Sequence, residues 1–339
     1  VTMDATAALT EIAFWLERDL APVFKVRAFR SAAATIAELS PDELAARADD
    51  GRLKDTKGIG GRTFEVIRQA IDGQVPDYLA DLRAKGAVPL AEGGEELLAQ
   101  LRGDLHSHSE WSDGTTPITD MVATARSLGR HYLALTDHSP NLKVANGLTA
   151  ERLSEQLDVV ADLNAASDSF TLLAGIEVDI LEDGALDQTD AMLERLDVVV
   201  ASAHSKLKME SEQMTERMIR AIRHPQSNVL GHVTGRLVQG SRGTRGESTF
   251  DARAVFEACA EEGVAVEINS RPERRDPPSR LIQLALDAGC LFSIDTDAHA
   301  PGQLDFLPYG AARAEANGVP AERIVTTWPV EKLAEWLKV

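Results

Sequence analysis

Two cysteines in 339 residues, Cys259 and Cys290, leave no room for a disulfide framework. Neither has CxxC spacing and each sits in an apolar stretch, so a thiolate metal site is excluded as well. No apolar run approaches the roughly 18 residues that a bilayer span needs. The opening residues, VTMDATAALTEIAFWLERDL, carry acids where a signal peptide needs positive charge. The expected compartment is therefore the cytoplasm, with no membrane partner. Low-complexity tracts and fixed-period repeats are also missing, and 44% hydrophobic with 26% charged residues fits a globular chain of one large domain and a smaller one. Positive charge is in deficit, with a net charge of -19. That argues against a protein coating nucleic acid by electrostatics alone, because such binding is driven by counterion release to Lys and Arg. The deficit is uneven. Residues 1–90 hold 12 Lys+Arg against 14 Asp+Glu, leaving 23 against 40 beyond them, so acidity concentrates where cations are expected below.

The first ninety residues read as helix throughout. ATAALTEIAFWLERDL and VFKVRAFRSAAATIAEL are followed by SPDELAARA, with Ser40 as N-cap, Pro41 in the first turn and Glu43 closing a capping box. A glycine hairpin, LKDTKGIGGRT, leads into a further helix, FEVIRQAIDG. Residues 91–102 read as a linker ending at Gly103. From there short apolar runs alternate with amphipathic helices, the pattern of repeated βα units. Seven strands are expected: DLHSH, YLALTDH, TLLAGIEVDI, DVVVASAHS, NVLGHV, VAVEINS and LFSIDTDAH. Helices are expected over 117–129, 149–165, 186–195, 211–223, 250–262 and 278–289, with two more in the tail. The fold class is α/β, and a parallel barrel closes so many units most economically, although an open doubly wound sheet fits the same pattern.

Nearly every strand ends in a metal-capable residue: His106 and His108, Asp137 and His138, Glu177, His204, His232, Glu267 with Asn269, and Asp297 with His299. In a parallel barrel these ends share the face where active sites sit. One histidine at a strand end is ordinarily a satisfied structural residue. Six at the ends of different strands gain little from mutual company unless a cation organises them. Residues two apart on a strand project to one side, as His106 with His108 and Asp297 with His299 require. Asp104 and Asp137 are placed either to accept a second ring N–H or to cap loop amides. Asp113 lies in the turn sequence WSDGTTP. Imidazoles with carboxylates and no cysteine suit manganese, zinc or ferrous iron better than calcium or magnesium. More ligands are present than one tetrahedral ion uses, so two or three divalent ions are expected, as in clusters that clamp the oxygens of a phosphoryl transfer. Arg236, Arg242 and Arg245 in one loop, with Arg271, Arg274 and Arg275 in another, offer guanidinium forks to phosphate.

The ordered motifs DLHSHSEWSDG, LTDHS, AGIEVDI, ASAHS, GHVTGR, VEINSRPERRD and DTDAH resemble the polymerase and histidinol phosphatase (PHP) superfamily over roughly 103–339. Within it the motifs look like the C-terminal PHP domain of bacterial family-X DNA polymerases. The resemblance implies a distorted seven-stranded βα barrel with a trinuclear site. One ion would take His106, His108, Glu177 and Asp297. A second would share Glu177 and add His204 and His232, and a third would take Asp113, His138 and His299. It also implies that Glu177, Arg274, Asn269 and Arg236 serve catalysis, with Arg274 holding phosphate oxygens. FKVRAFRSAAATIAEL followed by TKGIGGRTFEVIRQAIDG resembles the helical 8-kDa domain of family-X polymerases with its helix-hairpin-helix. There the N–H groups around Gly58, Ile59 and Gly60 would face a DNA phosphate, flanked by Lys25, Arg27, Arg30, Lys57 and Arg62.

Two departures shape the expectation. Between about residue 90 and residue 103 there is no room for a polymerase palm, and Val66 stands where lyase-active relatives carry a Schiff-base lysine. The expected organisation is a helical DNA-end-binding domain at 1–90, the linker, and a metallophosphoesterase barrel at 103–339. The expected activity is hydrolysis at DNA 3′ ends, as a 3′-5′ exonuclease or 3′-phosphatase in repair. The alternatives are a phosphatase of histidinol phosphate or a nucleotide monophosphate, and a non-catalytic DNA-structure adaptor with structural metals. The adaptor predicts a closed coordination sphere.

Overall fold

A computed structural model describes residues 3–167, 169–240 and 243–337, which fall into two units, Val1–Pro89 and Leu90–Val339. Arg242 lies outside the described residues.

The first unit is helical. Asp4 caps α1 (Ala5–Arg18) by accepting from the Ala7 amide at 2.7 Å. α2 (Val23–Ala37), α3 (Pro41–Asp49), α4 (Gly61–Ile71) and α5 (Asp77–Gly86) follow. Their apolar stripes meet in one core that includes Leu9, Ile12, Ile36, Ile67 and Leu79, all buried. A β-carbon on Gly86 would sit 2.2 Å from the Trp15 ring, so the residue lets α5 end against α1. Ser40 caps α3 as expected, accepting from the Glu43 amide at 3.2 Å. The Glu43 carboxylate bonds Arg47 one turn on.

The second unit begins earlier than the sequence reading placed it. Residues 91–102, expected as a linker, contain α6 (Glu95–Leu98), and Leu97 and Leu101 join the large core of this unit. The seven expected strands are all present: β1 (Gly103–Ser107), β2 (Tyr132–Leu135), β3 (Thr171–Asp179), β4 (Val198–Ser202), β5 (Val229–Leu230), β6 (Ala265–Asn269) and β7 (Phe292–Asp295). Each pairs in parallel with the next, in the order β1 to β7. A bridge between Ser107 and Ala298 brings the last strand back to the first. The result is a nearly closed (βα)7 barrel. Near-continuous burial along the strands, as in Val198-Val199-Val200, is what a parallel sheet covered on both faces requires.

Surrounding the barrel are α7 (Ile118–Ser127), α8 (Ala150–Ala165), α9 (Asp190–Leu193), α10 (Ser211–Ile222), α11 (Ala252–Glu262), α12 (Ser279–Ala288), α13 (Leu307–Ala316) and α14 (Val330–Leu337). α9 is much shorter than the span 186–195 expected for it. Gly94 takes φ +82, and a β-carbon there would meet the backbone of Ala311 and Ala312 below 3 Å; α6 therefore seats on α13 only with glycine at that point. No described helix is long and apolar enough to cross a membrane.

Candidate metal centre

The barrel delivers imidazoles and carboxylates to one buried point. β3 supplies Glu177, whose two oxygens meet rings from four other strand ends. Oε1 lies 2.8 Å from His232 Nε2 and 3.1 Å from His204 Nε2. Oε2 lies 2.9 Å from His138 Nδ1, 3.3 Å from His106 Nε2 and 3.5 Å from His108 Nε2. Asp297 Oδ1 lies 3.6 Å from His108 Nε2, and Asp113 Oδ1 lies 3.3 Å from His299 Nε2 and 3.5 Å from His138 Nε2. Three sets of ligand atoms come within 4.8 Å of one another: His106, His108 and Asp297; His138, Glu177 and His204; and His108, Asp113, His138 and His299. The first resembles the expected grouping. In the second His138 takes the place expected for His232, which instead hydrogen-bonds Glu177 directly.

A cation fits this donor set on a direct observation. His108 Nδ1 and His232 Nδ1 are buried with no partner, and His106 Nε2, His108 Nε2, His138 Nδ1 and His204 Nε2 crowd the Glu177 carboxylate at 2.9 to 3.5 Å without making a hydrogen bond to it. Unpaired buried nitrogens in this number are costly unless something accepts their lone pairs. Two of the candidate ligands also have strained backbones, with φ +21 at His232 and +52 at Asp297.

Protonation is frustrated in the same way. Burial pushes Glu177 upward, yet His106, His138 and His204 together hold it well below the usual carboxylate range. Asp297 is likewise buried, and Arg274 and His106 hold it well below that range. Against burial, Glu177 and Glu267 raise His106 well above the imidazole range, while Glu177 and Asp179 raise His204 to about 9. Burial and the neighbouring His299 and His138 depress His108 to about 3; burial and Arg274 depress His232 to about 4. Protons can satisfy only some of these rings at once.

The outer layer decides between the two placements expected for Asp104 and Asp137. Asp104 accepts from the His106 amide at 3.0 Å and from Thr296, and Asp137 accepts from the Ser109 amide at 2.8 Å and from Gln156 at 2.7 Å. Both hold loops rather than rings. The ring partners are Glu267, 2.6 Å from His106 Nδ1, and Asp179, 3.3 Å from His204 Nδ1. Asp179 was overlooked as a ring partner; its signal was its position two residues after Glu177, on the same side of β3. Arg217 was overlooked too. It is buried on α10 and bonds the Leu181 and Ser205 carbonyls at 2.8 and 2.9 Å, which ties the loop carrying His204 to the end of β3.

A cavity of about 350 Å3 opens over the cluster, lined by Asp113, His138, His204, His232, Asp297 and His299 together with Arg245 and Arg274. Arg274 Nε and Asn269 Nδ2 both donate to Asp297 Oδ2, at 2.9 and 3.1 Å, while Arg274 Nη1 is buried without a partner. Arg236 does not join this group. It bonds the Arg274 and Arg275 carbonyls and lies 3.3 Å from Glu247.

Residues 104–271 match the PHP domain. This stretch is a PHP domain. Its match spans strands β1 to β6 and every candidate ligand except Asp297 and His299, which lie beyond it. The barrel is that of a metal-dependent phosphoesterase, and its imidazole–carboxylate cluster suits divalent metal. Among relatives, a DNA polymerase/3′-5′ exonuclease PolX from Bacillus subtilis is 36% identical over 241 residues, covering 71% of this chain and 42% of that protein. The chain thus spans under half the length of that relative. A probable phosphatase of Thermoanaerobacter is 26% identical over 250 residues, covering 69% of this chain and 94% of the phosphatase. A histidinol phosphate phosphatase from Lactococcus lactis, solved with zinc, L-histidinol and phosphate, overlays with TM-score 0.44 at 18% identity, covering 65% of this chain and 94% of that one.

In the helical unit the basic residues named for DNA are dispersed in role. Lys25, Arg27 and Lys57 are exposed. Arg30 instead grips Glu17 through Nε and Nη2, both at 2.9 Å, and Arg62 lies 3.2 Å from Glu65 while stacking over Tyr78. Gly58 has φ +93, and Gly60 precedes α4. The Ile59 amide donates to the Thr56 carbonyl and the Gly60 amide to Thr63 Oγ1, so these two of the expected phosphate donors are already used. Val66 is buried in the helical core.

Proposed function

We propose that the chain hydrolyses phosphate esters at DNA 3′ ends, as a 3′-5′ exonuclease or 3′-phosphatase in repair, using two or three divalent ions of manganese, zinc or iron. The observation that carries the reading is Glu177, one buried carboxylate surrounded by imidazoles from four other strand ends. His106, His108, Glu177 and Asp297 would hold one ion, Glu177, His204 and His232 another, and Asp113, His138 and His299 the third. Bound there, such ions would acidify water and stabilise charge on the oxygens of a phosphoryl group. The protein's own residues orient this apparatus. Glu267 and Asp179 fix the tautomers of His106 and His204. Asn269 and Arg274 hold Asp297 Oδ2 and leave Oδ1 towards the rings. Arg274 lines the cavity, and its unpartnered Nη1 would donate to a non-bridging phosphate oxygen. Arg236 supports the Arg274 backbone.

DNA as substrate is supported by the likeness to PolX and by the helical unit, where Lys25, Arg27 and Lys57 stand exposed. A small phosphate ester is the second reading, favoured by the match that covers 94% of a probable phosphatase. The test is manganese-dependent release of phosphate and nucleotide from a 3′-phosphorylated recessed duplex, a single strand and histidinol phosphate. Preference for the duplex end supports the DNA reading. Equal or faster turnover of histidinol phosphate replaces it with the second.

A further inference from the structure

The arginines gathered at the strand ends divide between two cavities. Arg245 and Arg274 line the one over the imidazoles, whereas Arg236, Arg271, Arg275 and Arg313 line a second of about 480 Å3, bounded by the end of β6, the start of α12 and α13. Among the described residues lining it there is no aspartate or glutamate, in a chain of net charge -19. The four guanidiniums on that wall are balanced only by acids set outside it, such as Asp297, whose Oδ1 lies 3.7 Å from Arg271 Nη1.

Their donors are only partly used. Arg313 bonds the Asn269 and Pro277 carbonyls, and Arg236 those of Arg274 and Arg275, so neutral acceptors help to fix both in place. Arg236 also lies 3.3 Å from Glu247, and Arg271 Nη2 3.5 Å from Glu273. Arg271 Nε and Ser270 Oγ are buried without a partner. Arg275 is exposed at φ +47, and its guanidinium has no hydrogen-bond or ion-pair partner among the described residues. Burial chiefly lowers Arg313 to about 10; Asp276 opposes that shift, while Arg236 and Arg275 add to it. α12 begins at Ser279 on the cavity wall with no side-chain cap, adding the positive end of a ten-residue helix.

We propose that this second cavity binds a phosphate group other than the ester being cleaved. Forks of arginine suit phosphate oxygens, and the volume admits a nucleotide-sized ligand. The shared chemistry belongs to a nucleic-acid backbone phosphate or to a free phosphorylated small molecule. Arg271 links the cavity to the metal centre, because its Nη1 lies 3.1 Å from the Asp297 carbonyl and 3.0 Å from His299 Nδ1.

Direct binding tests this without reference to hydrolysis, so its failure is separable from failure of the proposed activity. Inorganic phosphate is titrated calorimetrically into the full chain in the presence of a chelator, for the native protein and for Arg275→Glu and Ala316→Glu. Both positions are exposed on the cavity rim, which lets the variants fold. Arg275→Gln serves as the milder control. Affinity is expected to fall about tenfold in each charge-altering variant, and less in Arg275→Gln. Displacement of phosphate by an oligonucleotide without terminal phosphate assigns the site to the backbone; displacement by a nucleoside monophosphate alone assigns it to a small molecule. If native protein does not bind phosphate, or both glutamate variants bind it within twofold of native, the proposal is overturned.

Discussion

The helical unit and the barrel use charge in opposite ways. In residues 5–86 acids and bases pair near the surface, as Arg83 with Glu11 and Lys85 with Asp19, at 2.7 and 2.5 Å. Such pairs contribute little, at most about 1 kcal/mol each. The barrel instead buries Glu177, Asp297, His106, His108 and His232 almost completely and leaves several of their atoms unpaired. Fold stability alone does not account for that arrangement, since burying ionisable groups opposes folding. The barrel carries its function in unsatisfied groups, whereas the helical unit can carry one only in exposed charge.

The comparison breaks first at Glu177. Glu177→Ala is expected to lower manganese-supported phosphoester hydrolysis by on the order of 10³-fold or more while circular dichroism keeps the barrel signal; native-like turnover would end the metal reading. Next comes the layer behind the rings. Glu267→Gln and Asp179→Asn should each weaken metal affinity by about 10–100-fold, read by competition with a chromogenic chelator.

The pH response sharpens the contrast further. A histidine raised in the folded state contributes stability that is complete below about 6.5 and lost as pH rises through its folded value, about 9 for His204. Metal-free protein should therefore melt at progressively lower temperature from pH 6.5 to 9. Metal-loaded protein should not, because cations replace the protons, and the gap between the two curves should widen with pH. Parallel curves would remove the link between the cluster and metal.

The smallest effects belong to the helical unit. Lys25→Glu with Arg27→Glu should reduce the salt dependence of duplex binding by about 2 in log–log slope. Arg30→Ala should leave that slope alone and lower the melting temperature, because Arg30 grips buried Glu17. A changed slope for Arg30→Ala and none for the double variant would reverse the roles assigned to them.

Strand count, parallel order and the common rim of histidines were legible because they depend on local pattern. Apolar runs, two-residue spacing and the side-chain polarity at each strand end are properties of short segments. The capping serine of α3 was legible for the same reason, but the partner of Glu43 was not, since Arg47 one turn on competes with the reach back to the cap. Residues 91–102 read as a linker because their glycines and charges dominate a short window; Leu97 and Leu101 enter the core only once α13 is there to receive them. Asp104 and Asp137 stood beside histidines in sequence yet bond loop amides and side chains, while Glu267 and Asp179 reach the rings from other strands.

By itself the chain order determined which residues lie at strand ends, hence which chemical types meet at one face, because strand period and βα alternation are written locally. Only the tertiary structure decided which carboxylate meets which ring and which arginines share a cavity. Those choices turn on separations of a few ångströms between segments distant along the chain, and barrel closure alone fixes them.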